Sequence, residues 1–289
     1  MSATALTIVL LSALLHAFWN FLTKKSVHKL IFIWWSLLAG IVLFFPIFLY
    51  WYPVAISRTG FLCMLASALC HAFYFRFLCG AYERGDLSLV YPVCRGSGPL
   101  LVPILAIALI GEKLALLGAA GIACIVSGIY VVNLESFSGR AVLQPILALR
   151  GGASLWALMT GVAIAAYSLV DKIGVGQVAP PVYIYLMLIG SLVFLSVLIP
   201  PRERVWLKQE WKLNWKNIII VGFLSNFTYL MILFAMQISH VSYVVAVREV
   251  SIVFSAAFGI LWLRERHALQ KLIGAAVIAC GVVLIGLSR

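Results

Sequence analysis

Charge is what this chain has least of. Only 10% of its 289 residues are Asp, Glu, Lys or Arg, and nine are acidic, against about 25% charged residues in an ordinary soluble domain. With 64% hydrophobic residues and a mean hydropathy of +1.10, that scarcity excludes a soluble globular fold. Cysteine adds little. Cys63, Cys70, Cys79, Cys94, Cys124 and Cys280 fall inside apolar runs without paired spacing, which argues against redox chemistry or a structural metal and makes them small helix-packing residues. Also missing are a Ser-His-Asp order, a Gly-rich phosphate loop, paired histidine ligands and a close carboxylate pair. An enzyme is not expected, nor is a cofactor or a metal.

What is present is a series of apolar runs. A membrane-spanning helix needs about 20 mostly apolar residues, and ten such runs can be counted: 3–22, 30–51, 60–80, 87–110, 114–132, 153–170, 182–199, 218–236, 241–263 and 269–287. The expected fold is therefore an all-α integral membrane protein. Pro180-Pro181 and Pro200-Pro201 mark the ends of the seventh run, since proline cannot continue a helix interior without losing a backbone hydrogen bond. The first run has no basic residue before it and no small-residue cleavage site behind it, so it is expected to be a retained span.

The net charge is +12, and its placement matters more than its size. Fourteen basic residues, from Lys24 and Lys25 to Arg266 and Lys271, fall on one side of a ten-helix layout; Arg58, Lys113, Lys172 and Arg289 fall on the other. Short cytoplasmic loops are basic, which puts both termini outside. The excess is thus topological, and no aromatic-basic strip points to nucleic acid.

The chain also repeats itself. Arg248 follows Arg95 by 153 residues; Arg95 opens a run closing on Glu112-Lys113 and Arg248 one closing on Glu265-Arg266, after which Gly121 and Gly128 match Gly274 and Gly281. Residues 1–135 form a first five-helix repeat, 136–150 a polar joint and 151–289 a second repeat. Five is odd, so the second copy must sit upside down in the bilayer. Inverted repeats of this kind build many secondary transporters, with substrate held near the midplane. The seven-residue glycine spacing lets neighbouring helices approach closely.

Arg95 lies nine residues into the fourth run, about 13 Å along a helix and near the middle of a hydrocarbon layer about 30 Å thick. Arg248 lies at the equivalent depth of the ninth, and Glu249 reads as the only acidic residue deep within a span. A guanidinium cannot shed its charge, and each buried one costs about 2.5–3.5 kcal/mol unless partners offset it. Pro92, Gly96, Gly98 and Pro99 around Arg95 predict a bent or opened fourth helix with a cavity beside it. Two readings stand: Glu249 pairs with an arginine and merely fixes packing, or the arginines face a central cavity. Two arginines, joined by Arg76 if that side chain does not reach for the surface, against one carboxylate would make the cavity positive. His16, Trp19 and Asn20 share one helix face, as do Ser67, His71 and Tyr74. Tyr91, Tyr167, Ser168, Asn226 and Tyr229 add further polar atoms. Each alone is more often an interhelical hydrogen bond than a ligand contact; together they outline a polar centre. His16 and His71 are also candidates to carry a proton.

The string Gly85-Asp86-Leu87-Ser88-Leu89-Val90-Tyr91-Pro92, followed by Arg95, Pro99 and Gly111-Glu112-Lys113-Leu114, closely resembles the pattern of the EamA branch of the drug/metabolite transporter superfamily. Leu263-Arg264-Glu265-Arg266 is a looser second copy. The resemblance implies ten helices around a cavity lined by the first, third, fourth, sixth, eighth and ninth, working by alternating access, and it leaves the cargo open among amino acids, sugars, nucleotide derivatives, phosphorylated compounds and drugs. The chain departs from small multidrug relatives in lacking a membrane-depth glutamate in its first helix. Many members are described with both termini inside; the charges of this chain point the other way.

The expected protein is a bacterial-type inner-membrane transporter, a monomer or homodimer among membrane lipids. Its cargo would be a small anionic or zwitterionic metabolite bearing a carboxylate, phosphate or phosphonate. Arg95 and Arg248 would hold the anion, Glu249 would balance or gate them, and Trp19, Tyr74, Tyr91 and Tyr229 would form the wall. The alternative is an exporter of drugs or lipid-like amphiphiles in which the arginines are a structural network. Whether a proton is the coupling ion stays open.

Overall fold

A computed structural model describes residues 1–24, 26–84, 87–134, 136–139, 152–263 and 268–288. The polar joint at 140–150 and the second Glu-Arg pair at 265–266 lie outside the described residues.

The described residues form helices and no strands. The helices are α1 (Ala3–Lys24), α2 (Lys29–Trp51), α3 (Arg58–Arg84), α4 (Leu87–Ile110), α5 (Leu116–Val132), α6 (Gly152–Gly174), α7 (Pro180–Leu198), α8 (Leu207–Ile238), α9 (Val241–Arg248), α10 (Ser251–Leu263) and α11 (Ala268–Leu287), with a 3₁₀ turn at Pro201–Trp206 before α8. Eight helical stretches are long and apolar enough to cross a membrane, and Leu116–Val132 is a shorter apolar helix. The ninth expected run is helical but interrupted between α9 and α10, and neither piece alone reaches spanning length. α7 begins on its proline pair. α8 starts 11 residues before the expected run and places Trp211 and Trp215 beside Lys208, Lys212 and Lys216, the aromatic-basic composition suited to a headgroup region.

One expectation is corrected: the fourth helix does not open. α4 runs without interruption from Leu87 to Ile110 despite its prolines. The break falls instead in the equivalent helix, immediately after Arg248, where the N–H groups of Glu249 and Val250 bond three residues back to Ala246 and Val247. Glu249 is thereby the first residue past the end of α9. A three-residue spacing tightens the last turn of a helix, and it turns the two neighbouring charges in different directions.

The two halves interdigitate. α3 packs on α6 as its counterpart α8 packs on α1; α2 packs on α8 as α7 packs on α3; α4 packs on α6 as α9 and α10 pack on α1. The contact between α5 and α11 maps onto itself. A Cβ added at Gly121 would sit 2.7 Å from the Gly281 carbonyl, and one at Gly281 would sit 2.6 Å from that of Gly121; Gly128 and Gly274 oppose each other in the same way at 2.9 and 2.8 Å. Ascending residues on one helix meet descending residues on the other, so these equivalent helices run antiparallel, which requires the halves to be inverted. Met1 completes the closure by donating from its amino group to the Ser288 carbonyl at 2.8 Å.

One further contact joins the halves. Gly111 adopts φ +68° after α4, a left-handed turn that glycine makes without steric cost, and it delivers Glu112 to the start of α9. The Glu112 carboxylate accepts from the Val241 N–H at 2.6 Å, the Ser242 N–H at 3.3 Å and the Ser242 hydroxyl at 2.6 Å. A carboxylate at a helix N-terminus satisfies donors that have no intrahelical partner and complements the positive end of the helix dipole.

Candidate functional site

A cavity of about 90 Å³ lies at the centre of the interdigitated bundle. It is lined by Ser12, His16, Trp19 and Thr23 of α1, Ile33, Ser36 and Leu37 of α2, and His71, Tyr74 and Phe75 of α3. Tyr167 of α6, Met187, Leu188 and Ser191 of α7, six residues of α8 including Asn226 and Tyr229, and Arg248 of α9 complete it. Since a water needs roughly 10–15 Å³ by this measure, the space holds several waters or a very small ligand.

The two deep arginines have different surroundings. Arg95 is 5% exposed, places Nε 3.1 Å from Glu249 Oε2 and donates from Nη2 to the Ser251 hydroxyl at 2.9 Å. It is a charge pair closed between α4 and the α9–α10 break, and Arg95 is not among the cavity-lining residues. Arg248, 4% exposed, donates from Nη2 to the Tyr167 hydroxyl at 3.2 Å. Its Nε has no hydrogen-bond partner, and no carboxylate lies within ion-pair distance of it among the described residues. The indole N–H of Trp19 and Nε2 of His16 are likewise buried without a partner. All three belong to the same cavity wall.

The remaining expected residues divide cleanly. His71, Tyr74, Tyr167, Asn226 and Tyr229 line the cavity with His16, Trp19 and Arg248; Asn20 does not. Arg76 lies over the Trp156 ring at 5.1 Å, a cation–π contact, and is not among the cavity-lining residues. The side chain of Tyr91 lies outside the described residues. Asn226 Nδ2 donates one hydrogen to the Gly222 carbonyl at 2.6 Å, a packing bond, which leaves its oxygen and its second amide hydrogen for other partners.

Aromatic rings join the polar groups. His71 stacks on Tyr167 at 4.1 Å and meets Tyr229 edge-on at 5.1 Å, while Tyr74 meets Tyr167 edge-on at 5.8 Å. His71 Nδ1 lies 2.9 Å from the Ser67 carbonyl; in the tautomer carrying hydrogen on Nδ1 it donates there and leaves Nε2 as an acceptor.

Comparison with known proteins agrees with this architecture. The model of the EamA-like transporter family matches residues 3–134 and again 152–287. The chain belongs to the EamA-like transporter family. Among curated proteins, none matches the sequence. A solved crystal structure, described only as that of a protein, superposes with a TM-score of 0.73 at 15% identity, covering 98% of this chain and 95% of that one. At that identity the likeness concerns the fold alone.

Two features of this EamA-like transporter differ from expectation. The lining includes α2 and α7 and, among the described residues, nothing from α4, whose Arg95 is closed on Glu249. Glu249 is also not the only buried acid. α6 continues past the expected end at Val170 to Gly174, and Asp171 within it is fully buried. Its Oδ1 accepts from the Tyr183 hydroxyl at 2.7 Å, and its Oδ2 accepts from the Tyr229 hydroxyl. Asp171-Lys172 looks in sequence like the polar end of a helix, which is why it escaped notice. A signal was available in the repeat: aligning Trp19, Thr23 and Lys24 with Tyr167, Asp171 and Lys172 sets Asp171 opposite Thr23, which lines the cavity. Among the described residues no group of three His, Cys, Asp or Glu side chains is placed to hold a metal, and the six cysteines are free thiols.

Proposed function

We propose that this membrane transporter carries a small organic anion, or a zwitterion presenting its anionic end, through the central cavity by alternating access. One observation supports the reading above others: Arg248 lines the cavity with an unpartnered Nε and no carboxylate within pairing distance among the described residues, beside the unpartnered N–H of Trp19. Both groups can only donate, so a fitting ligand must accept, and carboxylate, phosphate and phosphonate groups accept in the planar or forked geometry that a guanidinium favours.

Arg248 and Trp19 hold the anion. Tyr74 and Tyr167 supply hydroxyl donors and, with Tyr229, an apolar wall, and Arg95 with Glu249 forms a neutral brace that fixes where α9 ends. The halves rock about the midplane, with both termini on the outer face of a cell membrane.

Proteoliposome uptake of labelled acetate, phosphate and methylphosphonate, set against a hydrophobic cation such as tetraphenylphosphonium, tests this. Saturable uptake of an anion that Arg248→Gln abolishes supports the reading. Uptake of the cation, unaffected by Arg248→Gln, replaces it with transport of drug-like amphiphiles.

A further inference from the structure

We infer that Asp171 is the proton-binding site of the transport cycle, and that its proton travels in the same direction as the anion held at Arg248. This inference rests on the anionic-cargo reading. Asp171 is fully buried within a membrane-spanning helix, and among the described residues no lysine, arginine or histidine nitrogen comes within ion-pair distance of its carboxylate. An ionised carboxylate in that position costs several kcal/mol even after the protein relaxes around it, and two tyrosine hydroxyls offset only part of this. Such a group is a place where a proton is taken up and released.

The surroundings point the same way. Cys63, Ser67, Cys70 and His71 face the carboxylate from α3, Tyr183 from α7, and Tyr229 from α8. Arg248 of α9 acts on the same His71 and Tyr229. On α6 itself, the amine of Lys172 is tied to the Met236 and Ser239 carbonyls at 2.5 and 2.9 Å and does not neutralise its neighbour. With Arg95 and Glu249 cancelling each other, the ionised state sets one negative charge at Asp171 against one positive charge at Arg248. Protonation of Asp171 leaves Arg248 uncompensated and the cavity attractive to an anion.

Tyr229 connects the two events, since it both lines the cavity and bonds to Asp171. An ionised carboxylate only accepts, so it consumes the Tyr229 hydroxyl hydrogen; a protonated acid donates through one oxygen. When a proton from water binds Oδ2, the new O–H donates to the Tyr229 oxygen, and Tyr229 turns its own hydrogen toward an anion oxygen beside Arg248. No covalent bond other than the new O–H forms, and tyrosine keeps its proton. Coupling of this kind is reciprocal: the anion must favour protonation by the factor with which protonation favours the anion.

Infrared difference spectroscopy of the full chain in proteoliposomes, read at the carbonyl stretch of a protonated carboxylic acid, tests the inference with methylphosphonate as probe and tryptophan quenching as an independent report of its binding. The expected result is an acid band that grows as pH falls, is lost in Asp171→Asn, and increases at fixed pH when methylphosphonate is added. In Tyr229→Phe the band should persist without answering to methylphosphonate, whereas in Tyr183→Phe, which leaves the cavity wall intact, it should still answer. In Asp171→Asn, methylphosphonate affinity should no longer change with pH. A band that Asp171→Asn leaves in place overturns the assignment, as does one displaced by sodium at fixed pH. A band indifferent to methylphosphonate while quenching shows the probe bound overturns the coupling. If the wild type shows no quenching, the anionic-cargo reading fails, and the proton site is judged on its band alone.

Discussion

Arg95 and Arg248 occupy matching places in the repeat yet carry different work, and their neighbours explain why. Arg95 is closed on Glu249 and Ser251; Arg248 faces the cavity with a donor to spare. Removing one member of a buried pair leaves the other uncompensated, at about 3–5 kcal/mol. Arg95→Gln should therefore lower the yield of folded protein and its melting temperature in detergent, measured by fluorescence-detected size exclusion. Arg248→Gln should leave both near wild type while transport is lost. Arg95→Gln combined with Glu249→Gln should recover much of the stability, because neither charge is then stranded. A double variant no more stable than Arg95→Gln would show that the pair is not the brace described here.

At the scale of elements, the short helix α9 depends on a residue from the other half. Glu112 satisfies its first two backbone donors and the Ser242 hydroxyl, a capping interaction of about 0.5–2 kcal/mol. Glu112→Ala should lower thermal stability by that amount and speed hydrogen exchange at Val241 and Ser242 while leaving α7 unchanged, which exchange mass spectrometry resolves. Equal exchange in the variant would mean that α9 holds its start without the cap. The break after Arg248 has a comparable role. An uninterrupted α-helix would carry Glu249 about 100° around the axis from Arg248; the tighter turn there, with its three-residue hydrogen bonds, widens that step toward about 120°, and Glu249 meets Arg95 while Arg248 lines the cavity.

For the whole molecule, the antiparallel α5–α11 seam is where the two repeats meet through glycine. Every Cβ added at Gly121, Gly128, Gly274 or Gly281 would come within 3 Å of an opposing carbonyl, and backbone cannot give way as a side chain can. Gly121→Val should cost about 1–3 kcal/mol or more through overpacking, read as a lower melting temperature, whereas the same change at Gly139, which has open space around it, should be neutral. The meeting of Met1 with Ser288 puts both ends on one face. With the basic residues concentrated at the other, a membrane-impermeant amine reagent applied to intact cells should label the amino terminus. Labelling only after permeabilisation would reverse the proposed orientation.

The sequence by itself determined the class, the repeat and which glycines allow close packing, because hydrocarbon thickness and loop charge act on runs of residues that composition alone exposes, and because the duplication leaves matching residues at a fixed offset; that these glycines oppose one another across α5 and α11 came from the structure. It also brought eight of the cavity residues into view, since helical spacing puts His16 with Trp19 and His71 with Tyr74 on common faces. Only the tertiary structure decided which arginine is satisfied and which is free, that the interruption falls after Arg248 and not among the prolines of α4, and that Asp171 is buried. Each of these depends on a partner distant in the chain: Glu249 for Arg95, Tyr167 for Arg248, and Tyr183 and Tyr229 for Asp171. Whether a charge is compensated is a property of the space around it, which periodicity along one helix does not encode.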